Sequence, residues 1–140
     1  MIIRSKAPFR IGLAGGGTDV SPYSDTYNGA ILNATISLYA RTTIKPTNNN
    51  KIVIKSVDTG DILEFDSTEI IPIDGPLDLQ RGIYNRTVKD FIKKPLSFEM
   101  ETSMDVPTGS GLGTSSTLVV SVLGAFVEWL NMFKDAFSSK

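Results

Sequence analysis

Apolar and polar residues alternate most regularly between residues 96 and 104. The apolar side consists of Leu96, Phe98, Met100, Thr102 and Met104, and the polar side consists of Ser97, Glu99, Glu101 and Ser103. A period of two residues is that of a β-strand with one face toward a core and the other toward water. The pattern therefore predicts a half-exposed strand.

Further stretches are predicted as strands. Phe9, Ile11 and Leu13 alternate with smaller or charged residues, and they predict a strand that runs directly into the glycine tract at 15–17. Residues 30–45 are rich in Ile, Thr and Tyr, which predicts one long strand or two short ones. The stretches 51–57 and 62–65 are joined by Asp58-Thr59-Gly60-Asp61 and predict a hairpin, whereas residues 67–76 predict a connector.

Two helices are predicted. Apolar residues recur at near-helical spacing over 79–92, which predicts an amphipathic helix packed on a sheet, with Asp78 as its N-cap. Residues 117–132 are apolar nearly all round and predict a central helix that is buried on every side. Its length of about sixteen residues and the charge of Glu128 argue against a membrane span. We expect either a second copy of the chain or a C-terminal domain to cover this helix.

Composition excludes several classes of chemistry. The chain of 140 residues has 14 basic and 15 acidic side chains, so nothing in its charge predicts a nucleic-acid or membrane partner. It contains no histidine and no cysteine, which excludes a Ser-His-Asp triad, a thiolate zinc site and a disulfide framework. Charged residues near the N-terminus do not resemble a signal peptide, and we expect a cytoplasmic location.

Half of the twelve glycines lie in two short tracts, at 15–17 and at 109–113. The second tract separates a predicted strand from a predicted helix that opens with Thr114-Ser115-Ser116. Free N–H groups at the start of a helix form an anion-binding site, and phosphate is the expected ligand. The hydroxyls of these three residues can cap the helix, bond phosphate oxygens or reach Mg²⁺. The alternative is a glycine-rich connector with a Ser/Thr N-cap and no ligand.

Two better-known phosphate loops do not match the second tract. A Walker loop requires a lysine before the Ser/Thr, and Gly113 is followed directly by Thr114. A dinucleotide fingerprint requires a further strand with an acidic residue, and this chain has only a helix and a short tail there. At the first tract, Arg10 and Asp19 could face a small polar ligand, or they could form a surface ion pair flanking a turn.

The ten residues from Pro107 to Ser116 resemble the signature phosphate loop of the GHMP kinases, the superfamily of galactokinase, homoserine, mevalonate and phosphomevalonate kinases. Residues 7–19 and 29–36 are similar to the branch typified by D-glycero-D-manno-heptose phosphate kinases. The resemblance extends from about residue 4 to residue 129. It implies an α+β fold in which helices pack on a mixed β-sheet, as in the N-terminal domain of these kinases.

This resemblance implies ATP-dependent phosphorylation of a sugar or sugar phosphate, with ATP and Mg²⁺ as cofactors. The implied ATP-binding residues are Pro107, Gly109, Ser110, Gly111, Leu112, Gly113, Thr114, Ser115 and Ser116, and Ser115 matches the metal ligand. The implied sugar-site residues are Arg10, Gly16, Gly17, Thr18 and Asp19, and Arg10 could also have an electrostatic role in catalysis. Galactokinases have Glu-His where this chain has Gly16 and Gly17, so galactose is a less favoured substrate. Phosphoryl transfer depends on positioning and charge neutralisation, which require neither histidine nor cysteine.

The resemblance also implies parts that this sequence lacks. The catalytic aspartate of sugar kinases in this family lies well beyond the phosphate-loop helix, so we expect the base beyond Lys140 and the C-terminal domain to be absent. Residues 1–132 are then an incomplete ATP-binding domain, and 133–140 are a terminal tail. We expect the isolated chain to be inactive as a kinase. The alternatives are a non-catalytic nucleotide-binding remnant and a dimerising module.

Overall fold

The computed structural model describes residues 1–132. Within that range the chain forms strands and helices in the following order: β1 (Ile3–Ala14), α1 (Tyr23–Tyr27), β2 (Leu32–Pro46), β3 (Lys51–Ser56), β4 (Ile62–Asp66), α2 (Asp78–Thr87), β5 (Phe98–Met104) and α3 (Thr114–Leu130). Helix α2 continues as a π-helical turn over Val88–Ile92. The tail predicted for 133–140 lies outside the described residues.

The strands form one five-stranded sheet in the order β1-β2-β5-β3-β4. Strands β3 and β5 are parallel, and the other neighbouring pairs are antiparallel. A parallel pair needs a long crossover connection, and here the crossover contains β4 and α2. The mixed sheet with packed helices confirms the predicted α+β class.

The core lies between the sheet and the helices α2 and α3. Phe98 on the central strand β5 is fully buried, and its ring centroid lies 5.6 Å from those of Tyr84, Phe126 and Trp129. The polar residues of the alternation lie on the other face, where ion pairs such as Lys55–Glu99 join neighbouring strands. The half-exposed strand predicted around residue 100 is confirmed.

Helix α3 is not buried on every side. Its buried residues form one stripe at helical spacing: Thr114, Thr117, Leu118, Ser121, Val122, Ala125 and Phe126. Val120 is 60% exposed and Leu123 is 39% exposed, so residues 1–132 leave uncovered one side of the helix, where a second copy or a C-terminal domain is expected. An all-apolar composition does not tell how many sides other elements cover, and here the sheet and α2 cover only part of the helix.

Several element boundaries differ from the predicted ones. Of the two alternatives predicted for 30–45, the single long strand is confirmed, with bounds Leu32–Pro46, because β2 pairs along its length with β1 and β5. The predicted cap of α2 is wrong: Leu77 is the N-cap, at φ 58°, and Asp78 is already helical. The short helix α1 was not predicted. The hairpin of β3 and β4 is confirmed, as is the connector before α2.

No helix among residues 1–132 is both long enough and apolar enough to cross a membrane.

Candidate functional site

The loop from Met104 to α3 exposes its backbone at three glycines. Gly109, Gly111 and Gly113 have φ values of 82°, 75° and 74°, a region that side chains with a Cβ rarely adopt. A Cβ added at Gly109 or Gly111 would meet no atom within 4 Å. The backbone at these two glycines is therefore open to a ligand.

The first turn of α3 has no side-chain cap. Gly113 is the N-cap, and its carbonyl accepts both the N–H and the hydroxyl of Thr117, at 2.9 and 2.8 Å. The alternative of a Ser/Thr N-cap is therefore wrong, because Thr114 already lies in the helix. Ser115 and Ser116 are exposed on this turn. The uncapped N–H groups and the helix dipole make this end of α3 favourable for binding an anion.

A small apolar cluster supports the loop from below. Phe9 and Ala40 are fully buried, Val106 is 7% exposed, and Leu112 packs against them. The cluster connects β1 and β2 to both ends of the loop. Leu112 thus has a packing role within the implied ATP-binding set, and Pro107 forms a turn by accepting the N–H of Ser110 at 3.3 Å.

Arg10 brings the first sequence tract to the second. Strand β1 has a register irregularity between Pro8 and Arg10, and such irregularities commonly redirect a side chain. The Arg10 guanidinium lies against Gly113: a Cβ at this glycine would be 3.1 Å from Nη1 and 3.3 Å from Cζ. Within residues 1–132, Arg10 forms no ion pair with Asp19 or any other carboxylate. Its positive charge is therefore available to an anion at the N-terminus of α3.

The first glycine tract is held by close backbone contacts. A Cβ at Gly15 would lie 1.9 Å from the carbonyl oxygen of Ala30, and one at Gly29 would lie 2.0 Å from that of Thr18. The Thr18 hydroxyl is 2.7 Å from the Gly15 carbonyl oxygen and accepts the Ala30 N–H at 3.1 Å. The two segments therefore fit together only with glycine at both positions.

The predicted sugar-site residues are consequently not equivalent. The hydroxyl of Thr18 is used to hold the loop to residues 29–30. Gly16 and Gly17 have open space where a Cβ would be, and Asp19 is exposed. The backbone of the two glycines and the Asp19 carboxylate are the groups of this tract that can meet a ligand.

Sequence reasoning missed two aspartates at the base of the phosphate loop. The Asp105 carboxylate accepts the Tyr39 N–H at 2.8 Å and forms an ion pair with Arg41. The bond from Arg41, followed by that from Tyr39, lowers the pKa of Asp105, and the same ion pair raises the pKa of Arg41. Asp58 accepts the Met104 N–H at 3.1 Å. The only signal in the sequence was the position of Asp105 directly before the loop.

The chemistry of the loop suits an anion with several oxygens better than a free metal ion. Open glycine backbone, an uncapped helix and a cation converge there, which suits several negatively charged oxygens. Residues 1–132 contain no group of three or more acidic, histidine or cysteine side chains that could hold a metal. The Ser115 hydroxyl can ligate Mg²⁺ only alongside phosphate oxygens and water, a ligand set that Mg²⁺ commonly takes.

Comparison with known proteins identifies the family. Residues 81–137, which include the whole phosphate loop, match the family described as the GHMP kinases N terminal domain. The chain carries a GHMP kinase N-terminal domain.

Two relatives are similar to nearly all of this GHMP domain. D-glycero-alpha-D-manno-heptose 7-phosphate kinase of Campylobacter jejuni is 56% identical over 130 residues, which are 93% of this chain and 38% of the relative. The crystal structure of a D-glycero-D-manno-heptose 1-phosphate kinase from Bacteroides thetaiotaomicron is 53% identical with a TM-score of 0.89. That match covers 94% of this chain and 42% of the crystallised one.

A more distant structure shares the fold of this GHMP domain. The mevalonate kinase of Methanococcus jannaschii superposes with a TM-score of 0.74 at 21% identity, over 94% of this chain and 41% of that one. The chain thus spans about two fifths of the length of the heptose phosphate kinases and of this mevalonate kinase.

Proposed function

We propose that this GHMP domain is the ATP-binding part of a Mg²⁺-dependent kinase that phosphorylates a hydroxyl of a heptose phosphate or a related sugar. The observation that carries the proposal is the position of Arg10, whose guanidinium lies against Gly113 at the uncapped start of α3. An unpaired cation beside open backbone N–H groups has the chemistry needed to hold a polyphosphate. The heptose phosphate kinases named above support the substrate class.

In this proposal the loop and helix hold the phosphates. The backbone from Gly109 to Gly113 and the first turn of α3 donate N–H groups to the phosphate oxygens, and the Ser115 hydroxyl joins the Mg²⁺ shell. Arg10 neutralises charge that spreads over the phosphoryl group as its bond to the leaving phosphate breaks and a bond to the sugar oxygen forms. Preorganised donors of this kind supply most of the rate acceleration in phosphoryl transfer.

The sugar is placed beside Arg10 at the first glycine tract. The exposed backbone of Gly16 and Gly17 lets hydroxyl groups approach closely, and the Asp19 carboxylate can accept hydrogen bonds from them. The proposal assigns no general base to residues 1–132, because the resemblance places that aspartate beyond the phosphate-loop helix. It therefore expects this chain alone to bind MgATP without transferring phosphate, and it includes a cytoplasmic location, where ATP and phosphorylated sugars are available.

Titration with MgATP tests the proposal. Gly111→Val places a branched side chain in the open space of the loop, and we expect it to weaken binding at least about tenfold, or about 1.4 kcal/mol. Gly60→Val is the matched control, because Gly60 also has a φ of 75° and open space around it but lies in the β3–β4 turn. Equal affinity of wild type and Gly111→Val would count against the site. Phosphate transfer to a heptose phosphate by this chain would contradict the expectation that residues 1–132 contain no general base.

A further inference from the structure

Asp105 lies where the phosphate loop leaves the sheet. The last residue pair of the β2–β5 ladder is Ala40 with Met104. One residue further, the Asp105 N–H still donates to the Tyr39 carbonyl at 3.0 Å, but the Tyr39 N–H is accepted by the Asp105 carboxylate at 2.8 Å. The side chain thus replaces a backbone carbonyl as acceptor, which lets the chain turn away without leaving the β2 donor unsatisfied.

Arg41 fixes the same carboxylate from β2. Its guanidinium forms an ion pair with Asp105 and lies 5.6 Å from the centre of the Tyr39 ring. The Lys6 ammonium lies 4.7 Å from the centre of the same ring. The ion pair between Arg41 and Asp105, together with the bond from the Tyr39 N–H, holds the end of β5 to β2.

Asp58 fixes β5 from the opposite neighbour. Strand β3 ends at Ser56, and the Asp58 carboxylate then accepts the N–H of Met104 at 3.1 Å. The residue after Asp105 is Val106, which is buried against Phe9. Residues 104–106 are therefore held on both strand neighbours and on the core side, immediately before the loop begins.

We propose that Asp105, together with Arg41 and Asp58, is a positioning device that sets where the phosphate loop starts and in which direction it runs. These side chains act through the loop backbone rather than by touching a ligand. Exposed ion pairs contribute little to global stability. Substitution of Asp105 should therefore change the order of the loop while the free energy of unfolding of the whole domain changes little. The effect on nucleotide affinity rests on the proposed function, whereas the effect on the loop itself does not.

Hydrogen exchange of the ligand-free chain is the first test. We expect Asp105→Ala to raise the exchange rates of the amides of residue 105 and Ser110, which donate to the Tyr39 and Pro107 carbonyls, about tenfold, while buried amides such as those of Ile52 and Ile54 keep theirs. Asp105→Asn should give an intermediate increase, because its side-chain oxygen can still accept the Tyr39 N–H. The matched control is Asp66→Asn, which breaks the 2.8 Å ion pair with Lys51 at the far edge of the sheet. It should leave the loop unchanged.

MgATP affinity is the second test, with the same variants. We expect Asp105→Ala to bind several-fold more weakly, Asp105→Asn to recover part of the loss, and Asp66→Asn to match wild type. If wild type does not bind MgATP, the proposed function fails, and loop exchange alone decides the positioning role. Loop exchange in Asp105→Ala equal to wild type overturns the inference. If Asp105→Ala unfolds, the same exchange measurement is made on Arg41→Gln, which leaves the bond from the Tyr39 N–H to Asp105 in place. Faster loop exchange in Arg41→Gln supports the inference, and exchange equal to wild type overturns it.

Discussion

The Arg10 guanidinium lies beside Gly113 although the two residues are far apart in the sequence, and a Cβ added at the glycine would be 3.1 Å from it. The contact joins the two glycine tracts into one site, because Arg10 precedes the first tract and Gly113 ends the second. A cation from the edge strand β1 is thereby placed at the positive end of a helix, where only an anion can offset both charges.

Removal of the Arg10 charge should weaken nucleotide binding without unfolding the chain. A charge-assisted hydrogen bond contributes about 1.5–3 kcal/mol, so we expect Arg10→Ala to lower MgATP affinity about 10- to 100-fold in a calorimetric titration. Arg4→Ala is the control, since Arg4 is also an exposed arginine on β1. Similar affinities for the two variants would show that the position of Arg10 is irrelevant to binding.

Gly113→Ala should have two separable effects. Alanine at a φ of 74° strains the backbone by about 1–2 kcal/mol, and the new methyl group displaces the Arg10 guanidinium. Gly60→Ala, at a φ of 75° in open space, carries the strain alone. We expect both variants to lose similar stability in urea unfolding and only Gly113→Ala to lose MgATP affinity. Unchanged affinity in Gly113→Ala would contradict the contact.

Gly124 allows α3 to approach β1 closely. A Cβ at this position would lie 2.6 Å from Ser5 Oγ but 3.6 Å from Ser5 Cβ, so removal of the hydroxyl leaves ordinary contact. We expect Gly124→Ala alone to gain little or to destabilise, whereas in a Ser5→Ala background it should stabilise by up to about 1 kcal/mol through helix propensity. Chemical unfolding of the four proteins measures this coupling, and strictly additive effects would refute it.

Tyr84 should make stability sensitive to alkaline pH. Its side chain is fully buried, and its hydroxyl donates to the Thr68 carbonyl and accepts the Leu96 N–H at 3.3 Å. Burial raises the pKa of Tyr84 above its ordinary value of 10.0, so the folded state keeps the phenol proton where the unfolded state has lost it. Stability is therefore expected to fall as pH rises above about 10.

Tyr84→Phe tests this expectation. The variant should lose about 1–3 kcal/mol at neutral pH, because the Leu96 N–H and the Thr68 carbonyl lose their partner. Its stability should then fall less steeply than that of wild type above pH 10. Tyr27→Phe is the control, since Tyr27 is 70% exposed. The prediction fails if wild type and Tyr84→Phe show the same alkaline slope.

The strands and helices that follow from the spacing of apolar residues and from turn residues were predicted correctly. The alternation around Met100 identified β5, the turn at Gly60 identified the hairpin, and the apolar repeat identified most of α2. Predictions failed where neighbours decide the outcome. The N-cap of α2 is Leu77 rather than Asp78. The side of α3 that is exposed at Val120 and Leu123 in residues 1–132 depends on segments that its own sequence does not name.

By itself, the sequence determined the chemistry that is available: two glycine tracts, a strand-loop-helix order that suits phosphate, and no histidine or cysteine. Only the tertiary structure decided that Arg10 serves the second tract rather than pairing with Asp19, that Thr18 holds its own loop, and that Asp58 and Asp105 flank the loop base. The physical reason is that glycine and charge patterns are local properties of the chain, whereas the partner of a side chain is set by sheet order and register, which bring distant residues together.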